Sequence, residues 1–217
     1  MKKKFISAAV FGLLFVTLIV LLCTFDVSPI GPENTEIGFS TLNGTVHDAI
    51  GMSDFWYSVS SIFGYLSIAS AGIFVILGCA QIIKRKSLLK VDKNLFALAG
   101  LYAVTVFFYV LFEMVVINYR PIIEAGAEHV EASFPSSHTM LTCVIMGGAF
   151  VLIGRYIKNR GLCIALRCLA VALAVITVVG RLLSGVHWLT DIIGGALISL
   201  ALVTLFAAVC DLADNKK

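Results

Sequence analysis

Residues 5–25, FISAAVFGLLFVTLIVLLCTF, decide the fold, because the whole run carries no charged side chain. A helix of about 20 apolar residues rises roughly 30 Å, the thickness of a bilayer's hydrocarbon core. The run follows Met1-Lys2-Lys3-Lys4, a basic start that secretory leaders share. It is longer than a leader's apolar region, however, and no small-x-small cleavage site follows it. Cys23 follows Leu22 rather than a small residue, which argues against a lipid-modified cysteine. The expectation is a retained anchor helix.

Five further apolar stretches, 57–83, 94–117, 137–155, 161–180 and 188–210, extend the pattern along the chain. The third stretch meets a charge at Glu113, and the fifth is interrupted by Arg167, which lies near enough to a helix end to snorkel and is given no chemistry. Composition agrees: the 217 residues are 59% hydrophobic and only 13% charged, with a mean hydropathy of +1.00. Soluble domains carry about 25% charged residues, so this chain lacks the means to cover a water-facing surface. Disordered, collagen-like and nucleic-acid-binding classes fall by the same count, and a net charge of +3 is too small to imply a polyanionic partner. The expected fold is an all-α integral membrane protein, a bundle of six transmembrane helices forming a single domain over 1–217.

Sidedness follows from the basic residues. With the N-terminus in the cytoplasm and six alternating spans, fourteen of the sixteen Lys and Arg fall inside, at 2–4, 84–93, 155–167 and 216–217. Both termini are then cytoplasmic, and only Arg120 and Arg181 remain outside. The six cysteines lie in or near spans without metal-ligand spacing and read as free thiols. Residues 34–56, between the first two spans, can supply an amphipathic helix on the outer surface. Asn43-Gly44-Thr45 is a glycosylation sequon, a pattern frequent by chance. Of eight outer acids, Asp26, Glu33, Glu36, Asp48, Asp54, Glu124, Glu128 and Glu131, most are expected to be solvated, and His129 with Glu131 is too few ligands for a metal site.

Three polar stretches share the outer boundary: Asn118-Tyr119-Arg120-Pro121, Phe134-Pro135-Ser136-Ser137-His138, and 180–191 from Gly180-Arg181 through His187-Trp188 to Asp191. Pro135 before two serines marks a helix start, so Ser136, Ser137 and the first N–H groups of the fourth span form an anion site. Arg120 and Arg181 supply bidentate phosphate donors. His187 and Asp191 are four apart, so a carboxylate can hold one ring nitrogen and leave the other as nucleophile or base. His138 adds a second titratable group. Taken singly, each has a plain structural reading: an interfacial histidine, a cap, a hydrogen-bonded pair. In combination they suit phosphoryl transfer.

The order Arg120-Pro121, then Pro135-Ser136-Ser137-His138, then Arg181, His187 and Asp191 resembles the type 2 phosphatidic acid phosphatase superfamily of membrane lipid phosphatases. That resemblance implies His187 as a nucleophile forming a phosphohistidine, Asp191 orienting it, and His138 protonating the leaving group. It implies that Arg120, Ser136, Arg181 and the Ser137 N–H hold the phosphate, with no metal and no cofactor. The partner it implies is a lipid phosphate or diphosphate, hydrolysed at the outer leaflet of the plasma membrane. An isoprenoid diphosphate carrier is favoured, with phosphatidylglycerol phosphate and phosphatidic acid as alternatives. Oligomeric state is not legible. Two rival functions stand beside it: a lipid phosphotransferase using the same intermediate, and a non-catalytic lipid-binding or transport relative.

Three positions depart from the family's pattern. Ser137 and Gly180 replace a usual Gly and Ser, mild changes that keep the backbone donor. Glu113 stands where the family's first motif begins with lysine, replacing a phosphate-binding cation by an acid. Either it pairs with Arg120 or Arg181 and holds the guanidinium, or it faces elsewhere and the site works with one cation fewer.

Overall fold

In the computed structural model, which describes residues 1–215, the six apolar stretches fold as long helices: α1 (Lys2–Thr24), α3 (Asp54–Arg85), α4 (Lys93–Met114), α5 (Ser137–Tyr156), α6 (Arg160–Leu183) and α7 (Leu189–Asp214). All six are long and apolar enough to cross a membrane. A shorter α2 (Ser40–Ile50) stands between the first two. Among the described residues there is no strand, only the isolated bridges Ser28–Ile37 and Tyr119–Ala132. Lys216 and Lys217, counted above in the charge asymmetry, lie outside the described residues.

Local chemistry sets the helix starts. Ser53, Asp92, Ser136 and Asn159 cap α3, α4, α5 and α6, each side chain accepting a backbone N–H of the first turn, which stabilises a helix by about 1 kcal/mol per cap. The third span corrects the expectation of 94–117, because α4 stops at Met114. The β-branched Val115, Val116 and Ile117 that follow are poor helix formers, and the chain there turns extended toward the Tyr119–Ala132 bridge. Conversely, α7 runs past 210 to Asp214, since Asp211 and Asp214 find cationic partners instead of ending the helix.

Helices α5 and α7 form the centre: α1 lies along α7, α6 along α5, α4 touches both, and α3 bridges α5 and α6. Leu98, Met140, Val144, Leu152, Ile198 and Phe206 are buried between them. Leu13, Ile76, Ile83 and Phe107 remain exposed, as a bilayer-facing surface requires. Arg167 reaches α5, where its Nε donates to Phe150 O at 3.1 Å and its guanidinium stacks 4.5 Å from the Phe150 ring.

The start of α1 and the end of α7 lie at one end of the bundle. There Lys4 Nζ and Arg155 Nη2 each meet Asp211 at 2.7 Å, and Arg155 Nε meets Asp214 at 3.1 Å. Asn94 Nδ2 donates to Asp214 at 3.1 Å, so α1, α4, α5 and α7 are fastened together. The opposite end carries α2 and the long connections 25–39 and 115–136. Asp26 caps α2 there, accepting Thr41 N–H at 2.8 Å and Ser40 O–H at 2.9 Å. These bonds, the Thr41 N–H foremost, hold its carboxyl below the usual range.

Helix α2 is also tied to the start of α7. Asn43 Nδ2 donates to Thr190 Oγ1 at 2.9 Å and to Gly38 O at 2.8 Å, while its Oδ1 accepts Thr190 N–H at 3.2 Å. Asn43 is fully buried, so in the folded protein the sequon's amide is committed to structure and closed to glycosylation. Phe134 anchors the 115–136 connection, stacking on Phe15 at 5.8 Å and meeting Phe112 edge-on at 6.0 Å. It packs over Gly194, where a Cβ would collide with the ring.

Candidate active site

Each polar stretch singled out in the sequence reaches the end of the bundle opposite the termini, on a different support. Arg120 is carried by the extended 115–136 connection, with its N–H on Glu131 O at 3.0 Å. Ser136 and Ser137 form the start of α5, and Ser136 N donates to Asp191 O at 3.0 Å, locking α5 to α7. His187 sits on the turn from α6 to α7. That turn needs Gly185, whose φ of +74° and contact with the Gly51 carbonyl exclude a side chain.

A small cleft is lined by Phe112, Glu113, Arg120, Ser133, Ser137 and His187. Ser136 and Asp191 stand behind it, both fully buried. Ser136 Oγ is the cap of α5, 3.5 Å from Thr139 N, which makes the helix start rigid and leaves the Ser137 end of α5 toward the cleft. A 20-residue helix presents partial positive charge there. Arg181 and His138 lie on the flank formed by α3. Arg181 is buried, donates to Ser61 Oγ at 3.1 Å and stacks over Tyr57 at 5.1 Å. His138 meets Tyr65 edge-on at 6.2 Å. It lies over Gly64, where a Cβ would stand 3.0 Å from its ring.

His187 is buried, and its Nε2 makes no hydrogen bond within the protein. Burial holds its pKa well below the usual 6.5, and the Arg120 and Arg181 charges push the same way against a hydrogen bond to the Ser133 backbone. The ring is therefore neutral at physiological pH. A neutral Nε2 without a partner carries a free lone pair, and Arg120 and the start of α5 line the same cleft.

The sequence reading paired His187 directly with Asp191, and here the structure differs. Nδ1 of His187 and Oδ2 of Asp191 are 3.8 Å apart, too far for a hydrogen bond. Between them stands Ser133 Oγ, 3.0 Å from Nδ1 and 2.5 Å from Oδ2. Asp191 Oδ2 also accepts Trp188 N–H at 2.9 Å, and the Trp188 indole donates to Tyr119 O at 2.7 Å. Sequence spacing does not single out Ser133; its one local signal is a hydroxyl directly before Phe134-Pro135.

The acids also depart from expectation. Arg120 is paired, not with Glu113, but with Glu124 at 2.6 Å and Glu131 at 3.4 Å. Glu113 is exposed at the cleft and forms no ion pair among the described residues. Glu33 is exposed, as expected, and also accepts from His129 at 3.1 Å and from Val130 N–H at 3.2 Å. The histidine bond above all lowers its carboxyl pKa. Among the described residues no three His, Cys, Asp or Glu side chains converge as metal ligands would.

The model of the PAP2 superfamily matches residues 55–212, which is α3 through nearly all of α7. Among solved structures, the chain is similar to a transmembrane PAP2-type phosphatidylglycerolphosphate phosphatase from Bacillus subtilis. The TM-score is 0.68 at 18% identity, covering 97% of this chain and 98% of that one. It is also similar to LpxE from Aquifex aeolicus, with TM-score 0.46, 21% identity, and coverage of 76% and 94%. At such identities the first likeness is one of fold. No curated protein matches the chain in sequence.

Proposed function

The chain belongs to the PAP2 superfamily, and on that premise we propose that it is a membrane phosphatase acting on a lipid phosphate or lipid diphosphate through a phosphohistidine. The observation that carries this reading is the buried, unpartnered His187 Nε2 in a cleft shared with Arg120 and the start of α5. In the proposed reaction Nε2 attacks phosphorus, the bond from phosphorus to the lipid oxygen breaks, and its electron pair stays on that oxygen. His138 gives the oxygen a proton. Water then attacks the phosphohistidine, His138 takes its proton back from that water, and the P–N bond breaks to release phosphate. Arg120, Arg181, the Ser137 N–H and the Ser136-capped start of α5 stabilise the charge gathering on the phosphoryl oxygens. Asp191 supports the imidazolium character that His187 gains on attack.

No step needs a metal, so the reaction is expected to run in chelator. The proposed protein is a single domain over 1–217, in the plasma membrane, with both termini cytoplasmic and the cleft outside. The placement of twelve of the fourteen described basic residues away from the cleft supports this orientation. An isoprenoid diphosphate is the favoured substrate, ahead of phosphatidylglycerol phosphate and phosphatidic acid.

The test is phosphate release by the purified full chain in detergent over those three substrates, with and without chelator. Turnover in chelator, lost in His187→Ala, is the expected result. Activity abolished by chelator would sink the metal-free reaction, and unchanged turnover in His187→Ala would sink the nucleophile.

A further inference from the structure

His187, Ser133 and Asp191 form a buried row of three polar side chains, and the number of hydrogens in it fixes their directions. Ser133 has one hydroxyl proton and two contacts, at 3.0 Å to His187 Nδ1 and 2.5 Å to Asp191 Oδ2. It can donate in only one of them. The shorter contact is the one to Asp191, as hydrogen bonds to charged acceptors are. Oδ2 also takes the Trp188 N–H at 2.9 Å, which marks it as an acceptor. The Ser133 proton therefore points at Asp191, and its oxygen offers only lone pairs to His187. Nδ1 must then carry the ring hydrogen, and Nε2 is left bare toward the cleft.

From this geometry we infer that Ser133 is the positioning residue of the reaction, the hydroxyl through which Asp191 acts on His187 and which selects the nucleophilic tautomer. The inference rests on His187 being the nucleophile. As the Nε2–P bond forms and positive charge spreads over the ring, Nδ1–H donates more strongly to Ser133, and Ser133 more strongly to Asp191. No proton changes owner along the row. The 3.8 Å from Nδ1 to Oδ2 leaves the carboxylate without a direct hold on the ring. Ser133 is itself fixed from outside the α6–α7 turn, by its N–H on Asn118 O at 2.9 Å and by Phe134 in the aromatic cluster. The 115–136 connection thus sets the tautomer of a histidine that it does not carry.

The test uses the full chain in detergent, with dioctanoyl phosphatidic acid as substrate and 15N-labelled histidine. The four histidines are assigned by their loss on substitution. Ser133→Ala is expected to lower kcat about 10- to 100-fold with KM little changed, the scale of a lost hydrogen bond to a charged group. Its His187 nitrogen shifts should move away from the Nδ1–H tautomer, a readout independent of turnover. Ser133→Thr, which keeps the hydroxyl, should restore most of kcat. In an Asp191→Asn background, Ser133→Ala should cost much less than alone, because both act through one row. Wild-type kcat in Ser133→Ala, an unmoved tautomer, or losses that simply multiply would each overturn the relay. If those appear while His187→Ala is inactive, only the relay fails. If His187→Ala is active, the phosphohistidine reading fails with it.

Discussion

The two ends of the α5–α7 pair handle charge in opposite ways. At the end that carries both termini, Arg155 meets Asp211 and Asp214, and Lys4 meets Asp211. Each of those carboxylates has a cation, and each cation has a carboxylate. At the cleft end Arg120 meets Glu124 and Glu131, but the buried Arg181 donates to Ser61 and stacks on Tyr57 with no ion pair among the described residues, and its Nε makes no hydrogen bond within the protein. His187 Nε2 and Asp191 Oδ1 are likewise unpartnered. Leaving a buried polar atom unpaired costs about 1–3 kcal/mol, and for the Arg181 Nε–H the missing partner is an acceptor that a bound anion would supply. The end that carries the termini is a fastener, and the cleft end leaves part of its buried polar set unpaired.

That contrast is broken most directly at His187. His187→Ala should cut phosphate release by three or more orders of magnitude, on the order seen when a covalent nucleophile is removed. His187→Gln, which keeps a side chain in the buried site, should lose as much activity with a much smaller fall in melting temperature than His187→Ala, because Nε2 supports no contact within the protein. A large loss of stability in His187→Gln would show that His187 is a fastener after all. Arg181→Ala should follow with a loss of roughly 100-fold in kcat/KM, the scale of one charge-stabilising donor at a transition state. Steady-state kinetics of Arg181→Lys should recover only part of it, since a point charge cannot replace a planar fork.

The opposite end should answer to stability alone. Arg155→Ala removes the partner of Asp211 and Asp214, and a part-exposed pair of this kind contributes roughly 1 kcal/mol. For a chain of this length that is a fall of about 2–4 °C in melting temperature. Initial-rate assays below the transition should give an unchanged kcat. A changed kcat would join the two ends energetically and dissolve the distinction between them.

Acidification separates the ends again. The folded His187 resists a proton that the unfolded chain accepts near its usual value of 6.5. Below that pH the unfolded state binds more protons, so the stability contributed by a neutral His187 is present above about 6.5 and drains away as pH falls. The melting temperature of wild type should therefore drop more than that of His187→Gln between about pH 7.5 and about pH 5.5. Equal drops in thermal unfolding scans would mean that His187 titrates normally in the fold.

Much of this molecule was legible in its sequence because the deciding signals are local. An uncharged run such as 5–25 states its environment without reference to any other segment. The caps at Ser53, Asp92, Ser136 and Asn159 lie next to the helices that they start. Arg120, Ser137 and His187 could be placed at one end by counting spans, and the structure gathers them around one cleft. Illegible features are bonds between distant segments. Ser133 reaches Asp191 across the chain, Asn43 reaches Thr190 from α2, and Glu33 reaches His129. No local spacing encodes such contacts. The early end of α4 at Met114 was hidden for the opposite reason. Val115, Val116 and Ile117 are as apolar as the helix before them, and hydropathy does not distinguish an extended apolar segment from a helical one.

Glu113 gives the smallest effect and the finest test of the contrast. It lines the cleft with Arg120 and His187, but it is exposed, and Arg120 is held by Glu124 and Glu131 instead. A positioning acid would be expected to touch the guanidinium that it positions. Acting only as an unfavourable charge through water-like solvent, it would oppose each phosphate charge by roughly 0.5 kcal/mol at a separation of about 8 Å. Glu113→Gln should then lower KM about 2-fold and Glu113→Lys about 5-fold, with kcat nearly unchanged in either. Both effects should shrink in high salt, since exposed charges at this range are screened. A 100-fold rise in kcat for Glu113→Lys would instead identify a missing transition-state ligand. A fall of that size would show that Glu113 holds an arginine during turnover, and the cleft end would then share the paired logic of the end that carries the termini.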